Sequence, residues 1–464
     1  MGNQNPAYLR KRSTAWIYST LPASIALGPI SGIITLYILQ LGGTVIDVSY
    51  AIAFASAVAI PAAFFWGIVS DVFQRRKAQI VVAYSGLAAL LVAFALMRSV
   101  VGIILTYGLY AFVTAASATP QNLLVMETSQ RQKWPRVFSR LQYMASLGSA
   151  IGFTIAVVIA SVLSLRELML LLSGMAIASS LLTILLVYQP HDKISRERFA
   201  NNLYAFMSRI FVSPIMILKP PTLSRIRRIW AKINNTNPSS AKLTIIYEAI
   251  FVFSLGSGLF NTAYPAGLNQ VGLSQSNVLL VLLAGMAVQV IAFYVLGKRT
   301  MKAGYIPSIV NSLSLRSASY IIIGVAFLFF SKIGALITGL IFYPIASGIA
   351  YAFYYISSNT LVFDSLKGAG RGSALGAYTA LMGVGTFLGA LISGYSSFYL
   401  GYWVTFVIGG ILMLGSSIMF GRARMMGQTS SRNKGLIPET KNNLIGNVAK
   451  TNLSSLITET KETA

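Results

Sequence analysis

The chain has 464 residues, 55% of them hydrophobic and 10% charged, with a mean hydropathy of +0.69; no water-facing surface is built from that composition, so a soluble globular protein is excluded. Its 36 Lys and Arg against 11 Asp and Glu give a formal net charge of +25 and a pI near 10.2, but the charges flank apolar runs, so topology and anionic lipid headgroups account for them and nucleic acid is not an expected partner. With no cysteine and one histidine, His191 beside Asp192, disulfides, thiolate chemistry, zinc, haem and a Ser-His-Asp triad are excluded, and no enzyme activity, metal or other cofactor is expected.

From the N-terminus, Arg10 to Arg12 lead into an apolar stretch with the outline of a signal peptide. It is too long and lacks a convincing cleavage site, so it reads as an uncleaved first span. A run of about 20 apolar residues crosses the hydrocarbon core as a helix. Twelve such runs occur, near 14–40, 48–70, 78–97, 101–126, 138–163, 168–188, 243–265, 277–297, 306–330, 334–361, 372–398 and 403–420. Basic clusters at Arg10 to Arg12, Arg75 to Lys77, Arg131 to Arg140, the 189–242 stretch, Lys298 to Lys302, Lys367 with Arg371, and the tail after 420 alternate with connections holding only Arg98, Arg166 and Lys332. Every second connection is basic, which predicts a multi-pass cell-membrane protein with both termini in the cytoplasm. Arg316 alone lies inside a span.

These runs predict an all-α integral membrane protein of 12 transmembrane helices in two pseudo-symmetric six-helix bundles, residues 1–189 and 243–420, expected to work as a monomer. Between them, 190–242 reads as a cytoplasmic basic linker in which Ile226, Ile229, Trp230 and Ile233 share one face of an amphipathic helix, with Arg225, Arg227, Arg228 and Lys232 elsewhere around it, as for a helix lying on the inner leaflet. The polar 421–464 tail reads as disordered. Gly297-Lys298-Arg299-Thr300 lacks the earlier glycine of a phosphate loop and has Arg299 where a hydroxyl must hold magnesium, so an ATP-driven pump is not expected.

The halves look duplicated. At an offset of 237, Asn122, Leu124, Val125, Gly148 and Gly152 recur as Asn359, Leu361, Val362, Gly385 and Gly389, and Glu127 recurs as Asp364. In span 4, Tyr107, Tyr110, Thr114, Ser117 and Gln121 are spaced to share one helix face, and the same offset lands on Pro344, Ser347, Tyr351, Tyr354 and Ser358 of span 10. Span 7 carries Tyr247, Ser254, Ser257, Asn261 and Tyr264, and span 1 carries Thr20, Ser24, Ser31 and Thr35. Each hydroxyl taken singly is better explained by bonding to its own backbone or to a neighbouring helix. Together, polar faces on spans 1, 4, 7 and 10 predict a shared wet cavity.

Between spans 2 and 3 the chain reads Gly67-Ile-Val-Ser-Asp71-Val-Phe-Gln-Arg75-Arg76-Lys77. This resembles the signature loop of the major facilitator superfamily, with a glycine, an aspartate four residues on, and paired basic residues eight and nine on. Twelve spans in two related halves and a long basic central loop extend the resemblance over residues 10–421. Val72 and Gln74 depart from the usual arginine and turn glycine, and the equivalent after span 8, Gly297-Lys298-Arg299, lacks the aspartate. The resemblance implies an MFS-type fold in which Asp71 faces the N-terminus of span 11 near Arg371. Arg75 and Arg76 can meet Glu127 at the end of span 4, with Asp364 as the second half's counterpart, and contacts of this kind would bias an open and a closed state. Gly148-x-x-x-Gly152 supports close helix packing. Pro438-Glu439-Thr440-Lys441 is similar to a sugar-porter tail signature but lies beyond span 12 and is followed by Asn442, so it is read as coincidence.

An uphill transporter needs a group that binds an ion differently in its two states, and Glu248 in span 7 is the one carboxylate placed for it. Its face, with Phe251, Val252, Leu255 and Leu259, points away from Ser257 and Asn261, so a structural or ion-pair role competes with proton coupling. The resemblance implies that span 9 is peripheral, so Arg316 is expected to snorkel partly, with a carboxylate, carbonyls or water nearby. The expected function is secondary active transport of a small organic solute by alternating access, through a largely neutral, tyrosine-containing cavity. A sugar or metabolite porter, a lipid flippase and a non-transporting sensor on the same fold are the alternatives.

Overall fold

The computed structural model describes residues 15–73, 75–129, 134–187, 238–298, 304–329, 331–365 and 371–435. They form twelve helices long and apolar enough to cross a membrane. In the first half these are α1 Ala15–Gln40, α2 Val45–Phe73, α3 Arg76–Leu96, α4 Val100–Thr128, α5 Trp134–Ile159 and α6 Leu165–Leu186. In the second they are α7 Pro238–Gln270, α8 Gln275–Lys298, α9 Tyr305–Phe329, α10 (residues 332–365), α11 Arg371–Tyr399 and α12 Tyr402–Gly435. The predicted spans match these helices within a few residues, except that the last continues past 420 to Gly435, so residues 421–435 are helical where a disordered tail was expected. The segment at 225–233 read as amphipathic lies outside the described residues.

The helices are long because hydrocarbon offers backbone groups no partner, and an α-helix satisfies them internally. Two are irregular. After an opening 3-10 turn Ala15–Ser19, α1 divides at Pro29, which has no N–H to give, into Thr20–Leu27 and Ile30–Gln40. Pro344 opens a π-helical stretch, Pro344–Ala350, inside α10. Alternate ends of the helices carry Arg75, Arg76, Arg136, Lys298 and Arg422, and this end is called the basic face. The opposite, far face is closed by short turns and side-chain caps. Ser99 Oγ accepts from Gly102 N–H at 3.1 Å, Ser164 and Glu167 form a reciprocal capping box, and Asp47 accepts from Thr44 N–H at 2.7 Å. Gly42 (φ 84°) and Gly272 (φ 90°) turn the chain into α2 and α8.

The duplication is visible in the packing. A β-carbon built on Gly152 of α5 would overlap the carbonyl oxygen of Ile25 in α1, and one on Gly389 of α11 would overlap that of Leu255 in α7. Gly148 and Gly385 approach Leu21 and Phe251 in the same way. Seen from the other side, Gly28 meets Ser149 and Gly258 meets Thr386, each at 2.6 Å from a hypothetical β-carbon. The α5 and α11 partners are 237 positions apart, and those on α1 and α7 are 230 apart, so one helix-pair contact occurs twice. Small residues let these backbones approach closely, which is how helices associate where lipid removes the hydrophobic drive. Between the halves, α2 packs on α11 and α5 on α8.

Gly152→Ala and Gly389→Ala are expected to lower stability by about 1–3 kcal/mol each through overpacking. Gly174→Ala and Gly415→Ala, where no atom lies within 4 Å of the added carbon, serve as neutral controls. Thermal unfolding of the purified variants in detergent checks the contrast.

Candidate solute pathway

At the far face the two halves are joined. Segment Ile30–Gln40 of α1 packs on α7, and burial is continuous over residues 32–38 of α1 and 262–268 of α7. Gly32 lies against Leu279 and Leu282 of α8, Ser276 Oγ donates to the Val157 carbonyl at 2.8 Å, and the hydroxyls of Tyr50 and Tyr395 are hydrogen-bonded between α2 and α11. Each buried run is interrupted by one exposed polar residue, Ser31 in α1 and Asn261 in α7, again 230 positions apart, with burial resuming beyond it. An amide turned toward lipid in mid-span would lack hydrogen-bond partners, so Asn261 exposed below a seal marks a hydrated space.

The other stripe residues are placed as follows. In α4, Tyr110 is half-buried and stacks on Tyr107 at 5.3 Å, Thr114 donates to the Tyr110 carbonyl at 2.8 Å, and Ser117 donates to the Thr114 carbonyl at 3.0 Å. The Gln121 amide reaches sideways to Tyr84 Oη of α3 at 2.7 Å. Ser24 is buried beneath Gly148. In the second half, Ser257 is half-buried with Oγ enclosed and without a hydrogen-bond partner, Tyr351 is half-buried, and Tyr354 is buried with its ring stacked 3.8 Å from that of Phe253. Toward the basic face α5 stays docked on the second half: Ser139 Oγ donates to the Phe293 carbonyl at 3.2 Å, Gln142 donates to Tyr355 Oη at 2.7 Å, and the Tyr143 and Tyr294 rings lie 5.8 Å apart.

Of the predicted gate, Arg75 is exposed and Arg76 half-buried at the start of α3, and Gly67 has open space where a β-carbon would stand. Asp71, Glu127, Asp364 and Arg371 lie in helix ends at the basic face, and their side chains fall outside the described residues. Glu248 is exposed, with no hydrogen bond or ion pair to another described residue.

Arg316 departs from the sequence expectation. It does not snorkel: it is 4% exposed at the middle of α9 and points into the second half. No ion pair to Glu248 or to any other carboxylate is formed among the described residues. Its Nε donates to Tyr320 Oη at 2.9 Å, and its guanidinium carbon lies 5.4, 5.3 and 5.6 Å from the ring centroids of Phe253, Tyr320 and Tyr351. Such cation–π contacts stabilise a desolvated guanidinium by about 0.5–2 kcal/mol each. Behind this cage Phe260 stacks on Tyr320 at 3.6 Å and on Tyr264 at 4.9 Å, and Tyr264 on Tyr343 at 4.9 Å. Only Arg316 and Tyr320, four apart on one helix, could have been paired from sequence. The remaining rings are gathered from α7 and α10 by tertiary packing.

No curated protein sequence matches this chain at a significant level. The fold is shared with solved structures at low identity. A structure of the nucleoside transporter NupG aligns with a TM-score of 0.62 at 13% identity, covering 89% of this chain and 99% of the other. A POT family transporter in complex with a thioalcohol-conjugated peptide aligns with a TM-score of 0.62 at 12% identity, over 88% and 94%. The family model described as Major Facilitator Superfamily matches residues 14–240 and 246–457. With its twelve spans, its duplicated halves and that match over nearly its whole length, the chain belongs to the major facilitator superfamily.

Proposed function

We propose that the protein moves a small organic solute across the cell membrane by alternating access, as a monomer, with the basic face in the cytoplasm and the central space between the bundles open toward that side. Membership of a transporter family supports a permease rather than an enzyme. The observation that carries the reading is the repeated exposure of one polar residue, Ser31 and Asn261, at the inner edge of the sealed far-face segments of α1 and α7. The positive-inside rule supports the orientation, and the basic face would also engage anionic headgroups. Sealing rests on neutral contacts such as Tyr50 with Tyr395 and Ser276 with Val157, which are exchangeable at small cost when the halves rock. Proton coupling is assigned to Glu248, because the other carboxylates whose side chains are described, Asp47 and Glu167, are held by Thr44 and Ser164.

Since the chain has no cysteine, single-cysteine variants test this directly. In oriented vesicles Ser31→Cys and Asn261→Cys are expected to react with a membrane-impermeant maleimide added at the basic face, and buried Thr35→Cys to be protected there. Equal labelling from both sides, or protection of all three, would count against the reading. For coupling, Glu248→Gln in proteoliposomes is expected to abolish accumulation driven by an imposed pH gradient while solute counterflow persists; accumulation at the wild-type level removes Glu248 from that role.

A further inference from the structure

Arg316 stands in the middle of a span with no counter-charge among the described residues. It is 11 residues from the start of α9 and 13 from its end, about 17 and 20 Å along the axis. A guanidinium carries five N–H donors in a planar fork. Here Nε donates to Tyr320, while Nη1 is buried without a hydrogen-bond partner among the described residues. No described carboxylate is paired with it. Asp47 and Glu167 cap helices at the far face, and Asp71, Glu127 and Asp364 lie within two residues of helix ends at the basic face. Glu248 lies near the basic end of α7 and pairs with no described residue. An arginine at this depth is costly to bury, and three rings offset part of that cost without completing its hydrogen bonds.

Two more enclosed polar atoms without partners, Ser257 Oγ and Tyr264 Oη, lie on α7 beside the same aromatic cluster. Ser257 is one turn from Phe253, whose ring faces the guanidinium, and Tyr264 joins Tyr320 through Phe260. The cluster also reaches the junction of the two bundles. Tyr351, directly after the π-helical stretch of α10, lies over Arg316, and its ring is 5.8 Å from that of Tyr355, whose hydroxyl accepts from Gln142 of the first half. π-helical stretches inside helices occur often at functional sites.

We propose that Arg316 is the counter-charge for an anionic group, a carboxylate or phosphate, on the transported solute, with Ser257 as a further donor and Phe253 and Tyr351 flanking an apolar or aromatic body. This deepens the transporter reading and rests on it, and it replaces the neutral cavity expected from the polar stripes. The depth of Arg316 favours a solute over a lipid headgroup, which stays near the helix ends.

The test uses the full-length protein purified in detergent and probes of matched shape: benzoate against benzamide, and phenyl phosphate against benzyl alcohol. At least one anion is expected to raise the unfolding temperature where its neutral partner does not. The shift should vanish in Arg316→Gln and persist in part in Arg316→Lys, which keeps the charge should the glutamine variant fold poorly. Repeating the titration with added phosphatidylglycerol separates the sources: lipid that produces the Arg316-dependent shift by itself overturns a solute site. Equal shifts from charged and neutral partners, no shift from either anion, or a shift that survives in Arg316→Gln also overturns the proposal. Counterflow of the binding anion in proteoliposomes then separates the two claims. Binding that depends on Arg316 without flux refutes transport and leaves the site, whereas flux of neutral solutes unaffected by Arg316→Gln refutes the anion site and leaves transport.

Discussion

Hydrocarbon supplies neither hydrogen-bond partners nor counter-charges, and most of this structure follows from that. Backbone groups are satisfied inside twelve helices, and side-chain caps are found where those helices meet the aqueous far face. Helix association cannot draw on water exclusion, so glycines at 28, 148, 152, 258, 385 and 389 bring backbones into contact instead. Serine and threonine hydroxyls in α1, α4 and α7 bond to their own helices, as Thr35, Thr114, Ser117 and Ser254 do. Against that background, a central arginine held, among the described residues, by rings and one hydroxyl is a charged group whose hydrogen bonding is incomplete.

The repeated contact between α1 and α5 and between α7 and α11 has a mechanical consequence. Each half contains the same tightly joined helix pair, which would let each move as a block, with relative motion then falling on the α2–α11 and α5–α8 seams. Those seams are built from single neutral hydrogen bonds and ring contacts rather than ion pairs among the described residues, which keeps the energy difference between arrangements small. A seal over residues 32–38 and 262–268 above exposed Ser31 and Asn261 is one of the two arrangements such a machine needs.

The spans and the glycine repeat could be read from sequence because both are local or periodic signals: run length defines a span, and a constant offset exposes Gly148 and Gly152 again at Gly385 and Gly389. The environment of single polar side chains could not. Gln121 falls on the polar stripe of α4, yet its amide is taken by Tyr84 of α3, a pairing set by how α3 packs. Arg316 stood out as the one basic residue that orientation does not explain, but helix periodicity carries no information on whether it meets lipid, water or rings from α7 and α10. The helical extension to Gly435 was hidden by polar composition, which weakens an apolar-run criterion without preventing a helix.

Two alternating arrangements of rigid halves are the central claim, and distances across the two faces test it most directly. Spin labels on Gln40→Cys with Gln270→Cys report the far face, and Arg136→Cys with Arg424→Cys the basic face, all four sites being exposed. Electron–electron double resonance in nanodiscs, across pH and with a stabilising solute added, should show two populations in each pair that shift in opposite directions. A single unchanging distance at both faces under every condition would contradict the account.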